Sequence, residues 1–253
     1  MGYQSLFLLG GHDLEMNAII QLLEEHHLIY KDRSLQWNTA YLSQYEQDLS
    51  LFKDNSSYKI YGIELQEDIV PPSNYVRIDH HNQYTKLPSA LEQIAELLHH
   101  PLNRWQQLIA INDKAYIPGL QQAGASQEEI LRIRFEDRKA QGVSINDELL
   151  AEKAIRENKE ETENLIVVRA YSDRFSPICD RLYPFKQLLI YTDKELVYYG
   201  KGIPLLQKIF KEELSAGKMF CGGGDNGYLG TKQKRYSFIE LQTIINQIKQ
   251  YMS

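Results

Sequence analysis

The chain has 253 residues, 43% hydrophobic and 25% charged, enough for one large domain or two small ones with real cores. Its net charge of −6 argues against a broad basic face for long nucleic acid, and two cysteines, Cys179 and Cys221, make neither a disulfide framework nor a zinc-ligand spacing. No apolar stretch of about 18 residues and no basic run before the first apolar segment is seen, so no membrane span is expected and the default location is cytoplasmic.

In chain order, Ser5 to Leu9 reads as a strand ending at Gly10-Gly11, and Glu15 to His26 as a helix with Met16, Ile19, Ile20, Leu22 and Leu23 on its apolar positions. Tyr58 to Leu65 is a strand, broken afterwards by Pro71-Pro72, and Tyr75 to Ile78 a short strand ending at Asp79. Ser89 opens a helix with Glu92 at capping-box spacing. Leu108 to Ile111 is expected to be a further strand, ending at Asn112-Asp113. Strands alternating with helices imply a mostly parallel sheet covered on both faces.

From Ser126 the chain turns charged and helical, interrupted only near Gly142, up to Asn164. This stretch is expected to be a helical connector whose charge is a solvated face. Beyond it, Leu165 to Ala170, Gln187 to Thr192 and Glu195 to Tyr199 read as strands, the last two as a hairpin. Ile203 to Leu214 is helical, Met219 to Cys221 is a strand ending in Gly222-Gly223-Gly224, and Phe238 to Tyr251 is a final amphipathic helix. The basic cluster Lys232, Lys234 and Arg235 fits a solvated charge run better than a phosphate site. The expected fold is α/β: a mostly parallel domain over residues 1–125, the connector over 126–164, and a smaller α/β domain over 165–253.

Acids and histidines gather where strands end. Asp13 and Glu15 follow the first strand, Glu64 the second and Asp79-His80-His81 the third, with Asp113 after the expected fourth. In a parallel sheet such positions converge on one edge. Several carboxylates there would raise one another's pKa unless a cation offsets them, and carboxylate with imidazole suits Mn²⁺ or Mg²⁺. Two such ions can clamp the attacking and leaving oxygens of a phosphoryl group. The plainer readings also stand: a strand-end Asp is commonly a helix N-cap, and His26-His27 and His99-His100 are read as surface or helix-end residues.

Val76-Arg77-Ile78-Asp79-His80-His81 resembles the signature of the DHH phosphoesterase superfamily. Asp13 and Glu15 match that family's first motif, Glu64 its second, Asp79-His80-His81 its third and Asp113 its fourth. Phe220-Cys221-Gly222-Gly223-Gly224-Asp225 resembles the glycine-rich motif that ends the family's smaller, DHHA1-type domain. The resemblance implies one or two metal ions held by Asp13, Glu15, Glu64, His80 and Asp113. It implies Asp79 orienting His80, His81 contacting the substrate phosphate or protonating the leaving group, and Gly222, Gly223, Gly224 and Asp225 binding the distal part of the substrate in a cleft between the domains. The implied activity is hydrolysis of a small, nucleotide-like phosphoester or phosphoanhydride. The alternatives are a non-catalytic nucleotide sensor or protein-interaction module, and an exonuclease on single strands, which the acidic balance disfavours. Three departures bear on catalysis. Leu9 stands where the family's first motif has a His, Asn17 where it has a further acid, and Asp225 where the glycine motif has a His.

Overall fold

The computed structural model describes residues 4–53, 55–232 and 235–252. Its two compact units meet in sequence at Gly142 and Val143.

The first unit holds β1 (Gln4–Leu9), α1 (Leu14–Glu25), β2 (Ile29–Lys31), α2 (Glu46–Phe52), β3 (Tyr58–Ile63), β4 (Tyr75–Ile78), α3 (Ala90–Leu97), α4 (Arg104–Gln122) and α5 (Gln127–Ala140). The strands form one sheet in the order β2-β1-β3-β4, every pair parallel. Parallel strands covered on both faces need apolar residues at successive positions, and Leu6, Phe7, Leu8 and Leu9 are all fully buried. Leu6 and Leu8 pack with Leu42, Tyr45, Leu49 and Ile60, while Phe7 stacks on Tyr61 with ring centroids 5.0 Å apart. Helix α1 packs against α3, α4 and α5. The capping box expected at Ser89 and Glu92 is present.

One element differs from the sequence reading. Leu108 to Ile111 is not a strand but part of α4, a helix opened by a capping box between Asn103 and Gln106. A four-residue apolar run does not separate strand from buried helix, and here the cap decides for helix.

The second unit holds α6 (Ile145–Asn158), β5 (Lys159–Glu161), β6 (Ile166–Arg169), α7 (Ser176–Leu182), β7 (Gln187–Tyr191), β8 (Leu196–Lys201), α8 (Ile203–Ile209), α9 (Lys211–Ser215), β9 (Met219–Gly222), β10 (Asn226–Thr231) and α10 (Phe238–Met252). Its sheet runs β5-β6-β7-β8-β10-β9, antiparallel except between β6 and β7. Val167 and Leu189 pack on one face with residues of α8 and α10. Val168, Leu188 and Ile190 pack on the other with α6 and α7. The expected hairpin around Thr192 to Lys194 is β7-β8.

The charged stretch after Ser126 is two helices, broken where Gly142 takes a φ of 85°; α5 belongs to the first unit and α6 to the second. Residues 159–161, read as helix, are instead strand β5, recruited by pairing to β6 although all three side chains are exposed. The solvated-face reading also needs correcting, since Arg134, Asp137, Arg138 and Glu148 are buried. Lys234 of the basic cluster lies outside the described residues. Among the described residues, no helix is long and apolar enough to cross a membrane.

Candidate metal centre

The site is built where β1, β3 and β4 end. After β1 the chain passes through Gly10, where a Cβ would collide with the Glu64 carbonyl oxygen and lie 2.5 Å from that of Ile63. Only glycine permits this approach. Gly10→Ala is expected to destabilise the protein by about 1–3 kcal/mol through overpacking against backbone that cannot yield, measured as a fall in the denaturation midpoint; an unchanged midpoint would show that the two strand ends are free to part.

Asp13 then caps α1 in extended backbone, its Oδ1 accepting from the Met16 N–H at 2.8 Å. Glu15 sits in the first turn of α1. Its Oε1 accepts from the Leu91 N–H of α3 at 3.1 Å, and its Oε2 lies 3.5 Å from His80 Nε2. Glu64 follows β3 with a φ of 54°, a left-handed conformation uncommon outside glycine. Its N–H donates to the Ile78 carbonyl at 2.8 Å, tying it to β4. Glu64 Oε1 is 3.2 Å from His80 Nε2, and Asp113 Oδ2, from the middle of α4, is 2.6 Å from the same nitrogen.

These contacts are short but lack hydrogen-bond directionality. Glu15 Oε2, Glu64 Oε1, His80 Nε2 and Asp113 Oδ2 are all buried and none has a hydrogen-bond partner. Ligand atoms of Glu64, His80, His81 and Asp113 all lie within 4.8 Å of one another. Donors around one six-coordinate divalent ion stand about 3 Å apart when its bonds are about 2.1 Å. Buried polar atoms that converge without pairing are what a cation site needs, and the mixed carboxylate and imidazole set fits Mn²⁺ or Mg²⁺.

The electrostatics agree. Burial pushes the Asp13 carboxyl up to about 8, with the charge of Asp113 adding to the rise. Burial also raises Glu15, and raises Glu64 well above the usual range, against the lowering contact with His80. Burial works against a charge on His80, but Asp113, Glu15 and Glu64 outweigh it and carry the imidazole up to about 12. A proton on His80 thus supplies part of the positive charge these carboxylates require.

Asp79 needs a correction. Its Oδ1 accepts from the His81 N–H at 2.9 Å and lies 3.3 Å from His81 Nδ1. It therefore orients His81, not His80. An Asp side chain readily reaches the N–H two residues on, and that turn aims it past its immediate neighbour. His81 is 40% exposed, with Nδ1 3.6 Å from Glu64 Oε1.

A supporting network went unread in the sequence. Arg134 Nη1 donates to Asn112 Oδ1 at 3.0 Å and to Asp137 Oδ2 at 2.7 Å, and Asp137 Oδ1 faces the Leu14 N–H at 3.4 Å. It joins α5 to the residue before Asp113 and to the residue after Asp13. The signal was the Arg134-Asp137 spacing of three, hidden in a charged run.

In the second unit, Gly223 and Gly224 take φ of 76° and 68° in the β9-β10 turn, and a Cβ on Gly227 would strike the Gly222 carbonyl oxygen. Hairpin geometry alone accounts for these glycines, with Asp225 completing the turn. His26 and His100 meet at the surface, Nε2 to Nδ1 3.1 Å.

No sequence-family model and no curated protein matches this chain. Solved structures do. The DHH domain of a member of a family of ribosomal proteins aligns over 98% of this chain and 86% of its own, with a TM-score of 0.52 at 12% identity. The chain has the DHH fold. A pGpG-specific phosphodiesterase from Vibrio cholerae aligns over 98% of this DHH-fold chain and 97% of its own, at TM-score 0.49 and 12% identity. The RecJ structure with Mn²⁺ from Thermus thermophilus aligns over 99% and 52%, at TM-score 0.45 and 8% identity. The DHH run of this chain, Asp79-His80-His81, is the segment that brings both imidazoles to the cluster.

Proposed function

We propose that this DHH-fold chain is a divalent-metal-dependent phosphoesterase acting on a small, nucleotide-like phosphoester or phosphoanhydride. The observation that carries the reading is the convergence of Glu15 Oε2, Glu64 Oε1, His80 Nε2 and Asp113 Oδ2, buried and without hydrogen-bond partners. Asp13, Glu15, Glu64, His80 and Asp113 would hold Mn²⁺ or Mg²⁺, as one ion or two. A bound ion of this kind polarises a phosphoryl oxygen and lowers the pKa of a bound water. The chain's own residues do the rest. Asp79 holds the His81 ring at Nδ1, which leaves Nε2 for a phosphoryl oxygen or for proton delivery to the leaving oxygen. Burial works to raise the Asp79 carboxyl, but the contacts from His81 outweigh it and keep the group below its ordinary range, so Asp79 stays an acceptor near neutral pH.

The test is a hydrolysis screen of chelator-treated protein with and without Mn²⁺ on nucleotides, short oligonucleotides, cyclic dinucleotides and pyrophosphate. Mn²⁺-dependent turnover of at least one class is expected. The buried Leu9, in the place of the family's His, favours a second reading, a non-catalytic nucleotide sensor; binding without turnover across the screen would establish it.

A further inference from the structure

Next to the cluster, still within the first unit, is a cavity of about 310 Å³ whose walls include Trp37, Gln66, Arg77, His81 and Tyr84. This is the low end of small-molecule cavities, which run from about 300 to 1,000 Å³. It suits one nucleoside rather than a chain.

Its walls combine flat rings with the carboxylates of Glu64 and Asp79. Trp37 is seated against the backbone of Gly11, where a Cβ would collide with its ring, and it meets the His81 ring edge-on at 5.3 Å between centroids. Opposite charges cancel on Arg77, which forks onto Glu67 through Nε at 2.8 Å and Nη2 at 2.5 Å. The same guanidinium lies over the Tyr84 ring, 4.8 Å from its centroid. A guanidinium committed to a carboxylate is a poor phosphate clamp but a good stacking surface. The side-chain amide of Gln66 adds hydrogen-bonding capacity of both signs. Glu64 and His81 line this cavity and also belong to the cluster, so the two sites adjoin and one ligand can touch both.

We infer that this cavity seats the base of a nucleotide whose phosphate reaches the cluster, with Trp37 as the principal stacking surface. The inference rests on the phosphoesterase reading for what the phosphate does, but the binding of the base is separable from it. Trp37 and Trp105 are the two tryptophans, so Trp105→Phe leaves Trp37 as the sole indole reporter. In that variant with Mn²⁺, AMP and GMP are expected to quench the fluorescence saturably and ribose 5-phosphate to leave it unchanged. In Trp37→Leu, KM for any hydrolysed nucleotide is expected to rise roughly tenfold or more, the scale of one lost base stack, with kcat within about threefold. Quenching without hydrolysis would support the base seat and sink the catalytic reading. Hydrolysis with no quenching and an unchanged KM in Trp37→Leu would do the reverse. Equal quenching by ribose 5-phosphate, or a silent reporter in a protein that hydrolyses nothing, would overturn the base seat.

Discussion

His80→Ala is expected to lower Mn²⁺-dependent hydrolysis by at least about a thousandfold, equivalent to about 4 kcal/mol of transition-state stabilisation. The reason is its position. One nitrogen, Nε2, faces Glu15, Glu64 and Asp113 at 3.5, 3.2 and 2.6 Å, so its removal takes a donor from the middle of the set. The variant also strips the positive charge from buried carboxylates, and breaking such an arrangement costs about 3–5 kcal/mol. The metal-free variant is therefore expected to melt well below the wild type. His80→Asn, which keeps a polar side chain there, separates lost folding from lost chemistry. It should recover most of the circular dichroism signal while hydrolysis stays low. Full turnover in either variant would mean that the site is elsewhere.

The second large effect is a crossed dependence of stability on pH and metal. Asp13 rises from 3.8 to about 8 and His80 from 6.5 to about 12 on folding, so the folded state holds protons that the unfolded state releases. Stability contributed by such groups is complete below their unfolded values and is lost as pH climbs through the folded ones. For Asp13 that window runs from 3.8 to about 8, and for His80 it opens at 6.5 and extends towards 12. Chelator-treated protein should thus lose Tm steadily from about pH 5 to about pH 8.5. Metal binding requires deprotonated ligands and strengthens over the same range. At a concentration of about 1,000 Kd, Mn²⁺ adds about 4 kcal/mol, a shift on the order of 10 °C for a protein of this size, and the shift should widen with pH. Asp113→Asn should remove most of it. Melting curves that run parallel with and without Mn²⁺ would show that these groups do not bind the ion.

Most of the sheet was legible because its strands are short, continuous apolar runs that stop at glycine or at an acid, as Leu6 to Leu9 and Tyr75 to Ile78 do. The site was legible for the same reason, since Glu64 and His80 follow such stops. Asp113 is the instructive case. A strand at Leu108 to Ile111 would set it at the sheet edge; the segment is instead α4, which packs on α1 and α3 and carries Asp113 to within 2.6 Å of His80. Adjacency in sequence points Asp79 at His80, but the two-residue reach of its own turn sends it to His81. Arg134 and Asp137 were hidden because burial of a charged pair leaves no mark in a run already dense with charge. Trp37 lies between Lys31 and Glu46, where no apolar periodicity marks which side chains turn inward.

Glu64 combines a left-handed φ of 54°, a carboxylate sealed from water and repulsion from Glu15, Asp113 and Asp13. Each is a cost, the backbone alone about 1–3 kcal/mol, and glycine at this position would escape all three at once. A library of this protein selected for heat resistance in the presence of a chelator would accordingly drift towards Glu64→Gly, and its hardiest members would be the ones least able to carry an ion. Heat tolerance is therefore a misleading guide when ranking relatives or engineered versions of this chain, and retention of an acid at position 64 is the better criterion.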